Sequence, residues 1–220
     1  MAEMDKRELI ARRVAQEFED DTVVNLGIGL PTLCVQYIPE NIHVMLHSEN
    51  GFIAFGPTPQ PGEEDWSIVN PAGEMVTFIE GTSCFDSILS YGIIRGGHLA
   101  ATVLGAFEVA ENGDLANWMV PGKRVSGTGG AMDLVVGAKR VIVAMEHTSK
   151  GGEPRILKRC TLPLTAVGVV KLIVTDMAVI EVTDKGLVLK EVASGVTPEQ
   201  VQAATEATLT VDPNLKTISV

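Results

Sequence analysis

Glu49 stands in Ser48-Glu49-Asn50-Gly51, directly after Ile42-His43-Val44-Met45-Leu46-His47, a run that alternates apolar and polar residues as a strand does. This puts a carboxylate where a strand ends and a tight turn begins. In open α/β sheets that carboxyl edge is where ligands bind. A carboxylate there can act as a nucleophile and form acyl-enzyme intermediates from activated substrates. A lone turn Glu is ordinarily solvated, so its neighbours in the fold decide between the two readings. A second signal is Gly127-Thr128-Gly129-Gly130 ahead of Ala131-Met132-Asp133-Leu134-Val135-Val136, which reads as a helix start. Such a turn can offer backbone N–H groups to an anion or a carbonyl oxygen. Glycine allows the close approach because it lacks Cβ, although most glycine-rich turns are only turns.

Other candidates carry less. Gly27-Ile28-Gly29 lacks the third glycine and the acidic residue of a dinucleotide site, and it lacks the Gly-Lys-Ser/Thr ending of a phosphate loop. His43, His47, His98 and His147 show no ligand spacing on one helix and read as polar or packed side chains, with His47 and His147 as secondary site candidates. Glu146-His147 follows a strand end and is a candidate for a crevice rim. Asp133 lies in a first helical turn, where the macrodipole alone accounts for it. Cys34, Cys84 and Cys160 are odd in number and scattered, which argues against a disulfide framework and against zinc. All three are expected as small buried hydrophobes. No metal and no resident cofactor is expected.

The elements that must position these groups follow from composition and pattern. The chain has 220 residues, 45% of them hydrophobic, which suits one α/β domain over residues 1–220. With 17 Lys and Arg against 28 Asp and Glu, its net charge is −11. A nucleic-acid partner is therefore not expected, and an anionic ligand needs local donors. No apolar run reaches the length of a membrane span and no signal or transit peptide is visible in Met1–Arg7, so a cytoplasmic protein is expected. Residues 5–20 pattern as an amphipathic helix with Leu9, Ile10, Val14 and Phe18 on one face. Strands are expected at 22–26, 43–47, 76–79, 99–107, 140–145 and 172–183. Helices are expected from Pro31 and over 84–94, the latter with Phe85, Ile88, Leu89 and Ile93 on one apolar side. Residues 55–66 read as a surface excursion and 116–124 as an ordered loop around Trp118. Asp184-Lys185-Gly186 signals a hairpin leading into 187–191. Thr197-Pro198-Glu199-Gln200 signals a capping box on a last helix. The expected fold is an open, mostly parallel α/β sheet with helices on both faces and a late antiparallel hairpin.

Taken in order, these segments resemble family I coenzyme A transferases. The resemblance rests on Asn25-Leu26-Gly27-Ile28-Gly29-Leu30-Pro31, Ser48-Glu49-Asn50-Gly51, Ile94-Arg95-Gly96-Gly97-His98, Leu115-Ala116-Asn117-Trp118 and Pro121-Gly122-Lys123. It continues through Gly129-Gly130-Ala131-Met132-Asp133, Met145-Glu146-His147 and Cys160-Thr161-Leu162-Pro163-Leu164-Thr165, and spans about residues 7–192. It is similar to the β subunit of the 3-oxoacid, butyrate or acetate transferases. The resemblance implies Glu49 as nucleophile and Gly130 as an oxyanion donor, with Ser48, Asn50, Gly51 and Gly129 binding substrate around them. It implies coenzyme A as a substrate, and a homologous α chain in an α2β2 assembly. Glu80 departs from the pattern, which leads one to expect Pro there, and Phe55-Gly56-Pro57-Thr58-Pro59 is variant. Both bear on acyl preference and neither touches the nucleophile motif. Two alternatives stay open at the level of sequence: a sugar-phosphate isomerase or deaminase, and a non-catalytic sensor of acidic metabolites.

Overall fold

The computed structural model describes residues 4–123, 125 and 127–220. Met1–Glu3 and Arg124, the last residue of the loop expected at 116–124, lie outside them. Helix α1 (Lys6–Ala15) buries Ile10, Ala11, Val14 and Ala15 at helical spacing. It stops short of Asp20 because Glu17, Glu19, Asp20 and Asp21 crowd acid where a helix C-terminus disfavours it. Strand β1 (Thr22–Leu26) leads into a 3-10 helix, Pro31–Tyr37, and then into β2 (Val44–Ser48), which delivers Glu49. Two further strands follow, the first absent from the sequence reading and the second overlapping the strand expected at 76–79 but running on to Cys84. β3 (Phe52–Phe55) folds back antiparallel on β2, and β4 (Phe78–Cys84) pairs antiparallel with β3. Helix α2 (Ser87–Arg95) is capped by Asp86, whose carboxylate accepts from the Leu89 N–H.

The chain continues through β5 (Ala101–Leu104), β6 (Glu108–Ala110), β7 (Leu115–Ala116), α3 (Ala131–Gly137), β8 (Val141–Ala144) and β9 (Ile156–Leu157). It ends with β10 (Val170–Val174), β11 (Ala178–Thr183), β12 (Gly186–Val192), α4 (Pro198–Ala203) and β13 (Leu209–Thr217). Ten strands form one sheet in the order β13-β12-β11-β10-β8-β5-β1-β2-β3-β4. Its centre, from β10 to β2, is parallel throughout, with antiparallel strands on both flanks. Val141, Ile142, Val143 and Ala144 are all buried, as a central strand covered on both faces requires. Ile10, Val14, Cys34, Ile142 and Val174 pack on the face under α1 and the 3-10 helix. Ile94, Leu134, Val143, Ile173 and Val201 pack on the face under α2, α3 and α4.

Several expectations need correcting. The stretch 172–183 is two strands, because the Thr175 hydroxyl accepts from the N–H groups of Met177 and Ala178 and folds the chain back. α2 buries Ser90 and Ile94, while Ile88 and Leu89 are exposed. The face is set by polar anchoring: the buried Ser90 hydroxyl bonds the His47 ring. Of the cysteines only Cys34 is buried; Cys84 is exposed at the end of β4 and Cys160 is half-buried. β13 escaped pattern reading because Asp212, Pro213 and Asn214 interrupt it, and a strand holding Pro survives at the sheet edge it occupies. The capping box at Thr197 and Gln200 forms as expected. Among the described residues no helix is long and apolar enough to cross a membrane.

Candidate active site

Glu49 leaves the carboxyl end of β2, beside β1, in a turn built from its neighbours. The Gly51 N–H bonds the Ser48 carbonyl at 3.0 Å. Gly51 sits at φ 130°, and a Cβ there would lie 2.3 Å from the Phe85 carbonyl oxygen, so the position requires glycine. The buried Ser48 hydroxyl donates to Asn50 Oδ1 at 2.5 Å. Asn50 Nδ2 donates to the Val69 carbonyl at 2.7 Å, lacing the turn to the long excursion between β3 and β4. Ser48, Asn50 and Gly51 thus shape the turn that aims the carboxylate.

The carboxylate meets groups from three other segments. Asn25, buried on β1, donates from Nδ2 to Glu49 Oε2 at 3.0 Å and to the His47 carbonyl at 3.1 Å. Thr102 on β5 donates to Asn25 Oδ1 at 3.4 Å. Gly130 caps α3 and is buried. A Cβ on it would lie 3.4 Å from Glu49 Cγ, 3.6 Å from Oε1 and 3.2 Å from the Tyr91 hydroxyl. Glu49 and Gly130, far apart in sequence, are therefore in contact. Gly129 is exposed in the same turn at φ 51°. Asp133 pairs with Arg95 at 2.6 Å, tying α3 to α2. Partial burial, then the nearby charge of Glu49, raises the Tyr91 pKa. Asn25 and Tyr91 were not among the sequence candidates. Asn25 carried a readable signal, a lone amide inside the apolar strand Val23-Val24-Asn25-Leu26, where a buried polar group needs a partner.

The two secondary histidines separate. His47 lies directly before the turn, 3% exposed, with its ring on Phe85 and Nε2 3.1 Å from Ser90 Oγ. Its Nδ1 is buried with no partner. His147 is bound at both ring nitrogens, by Thr175 and Thr205 at 2.9 Å each, and has no contact with Glu49 among the described bonds. Glu146-His147 is thus part of a structural knot. Burial pulls both imidazoles down to about 4 and keeps them neutral. Burial pushes the Cys34 and Cys160 thiols up to about 12, which disfavours thiolate at either.

Two cavities meet at Glu49. One, of about 380 Å³, lies between the 3-10 helix, β2 and the excursion, with a mostly aliphatic wall that includes Leu26, Val35, Ile38 and Leu46. The other, of about 340 Å³, is bounded by Gly127–Gly130, Gly105, Asn117 and Trp118. Both are lined by Gly27, Ile28 and Glu49. A carboxylate shared by two chambers can react in turn with groups arriving from either. Among the described residues no three His, Cys, Asp or Glu side chains gather to hold a metal ion.

A family profile described as "Coenzyme A transferase" matches residues 7–204. The chain belongs to the coenzyme A transferase family. It is 49% identical over 209 residues to a probable succinyl-CoA:3-ketoacid coenzyme A transferase subunit of Bacillus subtilis, covering 95% of this chain and 97% of that one. It is 49% identical over 214 residues to the acetate CoA-transferase β subunit of Escherichia coli, covering 97% and 98%. The apoenzyme structure of the acyl-CoA transferase YdiF from Escherichia coli superposes with a TM-score of 0.76 at 21% identity. All of this chain is covered by that match, and 44% of YdiF. The present chain thus spans less than half of that longer relative and nearly the whole of the two transferase subunits. Membership in the CoA-transferase family makes the chain part of an enzyme and removes the isomerase, deaminase and sensor readings.

Proposed function

We propose that this chain is the β-type subunit of a transferase that moves coenzyme A between an acyl-CoA and a short-chain or 3-oxo carboxylic acid, through a thioester on Glu49. The observation that carries the reading is the carboxylate of Glu49, held by Asn25 and lying against Gly130, where two cavities meet. Asn25 occupies Oε2 and leaves Oε1 to attack. A neutral amide donor orients the carboxylate without cancelling its charge.

In the first step Oε1 attacks the acyl-CoA carbonyl, the C–S bond breaks, and a mixed anhydride forms with release of the CoA thiolate. The thiolate then attacks the Glu49 side-chain carbonyl. The anhydride C–O bond breaks, giving a glutamyl-CoA thioester and the free carboxylate. The second acid reverses both steps and regenerates Glu49. One thioester is exchanged for another, so no external energy source enters. Each attack places charge on an oxygen, and the Gly130 N–H is assigned to it; one such donor is typically worth roughly 2.7–4 kcal/mol. Water would hydrolyse both intermediates, so the open side of the site needs a cover. The cover is assigned to a homologous α-type chain, in an α2β2 assembly, which also brings a second oxyanion donor. The names of the relatives offer acetate, 3-ketoacids and succinyl-CoA as first substrates to try.

Initial-velocity kinetics test the reading. The complex with its α-type partner is given varied acyl-CoA at several fixed concentrations of a second carboxylic acid. A covalent CoA-enzyme intermediate predicts parallel double-reciprocal lines, because the first acid leaves before the second binds. Intersecting lines indicate a sequential mechanism and contradict the proposal.

A further inference from the structure

The two chambers at Glu49 differ in chemistry, and the difference bears on the acyl group. A pantetheine arm carries amides that need hydrogen-bond partners when buried. The main chain of Gly127–Gly130, free of Cβ at three of its four residues, lines one chamber and can offer such partners there. The other chamber, of about 380 Å³, has a predominantly aliphatic wall. Its charged lining groups are Glu49 itself and Glu74, and among the described residues that line it there is no Lys or Arg. Glu74 sits exposed at the lip, accepting from Asn70 Nδ2 at 2.8 Å. A second carboxylate brought in on an acyl chain would leave water, meet two carboxylates and find no cation on this wall, which is strongly unfavourable. An uncharged tail gains instead, about fourfold for each buried methylene. The wall also includes Phe55–Thr58 and Ile79, within or next to the segments where the sequence departs from the family pattern.

We propose that this aliphatic chamber receives the acyl tail, and that it selects uncharged tails of monocarboxylic acids, 3-oxo acids included, over dicarboxylic acyl groups such as succinyl. The assignment rests on the transfer reading above and extends it to substrate class.

The test compares acetyl-, butyryl- and succinyl-CoA as donors to the complex with its α-type partner, reading kcat/KM and the covalent adduct on the Glu49 peptide. The native complex is expected to favour butyryl-CoA over succinyl-CoA by about tenfold or more. Val35→Trp, which fills the chamber from the 3-10 helix, should lower butyryl-CoA relative to acetyl-CoA by about tenfold. Glu74→Lys, on the exposed lip and safe for folding, should raise the succinyl-to-butyryl ratio by about tenfold. Succinyl-CoA as the better native donor, or ratios unchanged in both variants, overturns the chamber assignment while an adduct on Glu49 leaves the transfer reading standing. No adduct with any donor overturns the transfer reading and the assignment with it.

Discussion

Two buried polar centres built around histidines interrupt the apolar interior, and they are finished differently. Around His147 every ring nitrogen is bonded, Thr175 and Thr205 each at 2.9 Å, and Thr175 also accepts from the turn that starts β11. Around Asn25 and His47 the bonding is incomplete. His47 Nδ1 has no partner, the Thr102 contact is long at 3.4 Å, and one oxygen of Glu49 is not engaged by Asn25. A fully satisfied cluster fixes a fold, whereas unfilled hydrogen-bonding capacity beside a cavity is what a site retains for its ligand. The contrast assigns the first centre to stability and the second to chemistry.

The largest expected effects fall on the second centre. Gly130→Val should slow turnover by about a hundredfold to a thousandfold, since its side chain would enter the space held by Glu49 Cγ and the Tyr91 hydroxyl. Circular dichroism should show a retained fold, and unchanged turnover in folded protein would remove Gly130 from the site. Asn25→Leu frees Glu49 Oε2 and should cost on the order of a hundredfold in kcat, the usual penalty for losing about 1 Å of positioning.

Acid should strain both centres alike. Each histidine titrates at about 4 when folded, below its ordinary 6.5. The unfolded chain therefore binds more protons between pH 6.5 and 4, and stability falls as pH falls through that window. The loss approaches roughly 3 kcal/mol per histidine by pH 4. Urea midpoints measured at pH 7, 5 and 4 check this. Equal pH slopes in wild type and His147→Leu would remove His147 from the account.

Smaller effects sharpen the contrast. His147→Leu removes one hydrogen bond from each of two buried hydroxyls, which keep their backbone partners, and should cost about 2 kcal/mol at pH 7, with turnover per folded molecule unchanged. His47→Phe keeps a ring against Phe85 and removes the unpartnered nitrogen, leaving only Ser90 unpaired. It should cost less than about 1 kcal/mol in urea unfolding. A larger loss at His47 than at His147 would reverse the assignment.

The parallel core was legible because buried central strands such as Val141–Ala144 are apolar without interruption and helices alternate with them. On one flank the β11–β12 hairpin was announced by Asp184-Lys185-Gly186, whereas the flank beyond β2 was not legible. β3 is short, its register against β4 shifts between Ile53 and Phe55, and 22 residues of loop separate the two, so no local pattern announces their pairing. The α2 face was misread because periodicity counts apolar residues, while a single hydrogen bond from Ser90 to His47 fixes which side turns inward. At the site, the Ser48–Gly51 turn and the Gly127–Gly130 turn were both visible as segments. Their contact was not, because it depends on β2 and α3 meeting across the sheet edge. Asn25 was visible as an anomaly, and its meaning came only from the register that sets it opposite His47.

Direct trapping of the intermediate bears hardest on the central claim. The complex with its α-type partner is incubated with acyl-CoA and no acceptor, then denatured, digested and mapped by mass spectrometry. The account predicts a CoA adduct on the peptide carrying Glu49, released by hydroxylamine or by a carboxylate acceptor and missing in Glu49→Ala. An adduct on the peptides of Cys34, Cys84 or Cys160 would contradict it.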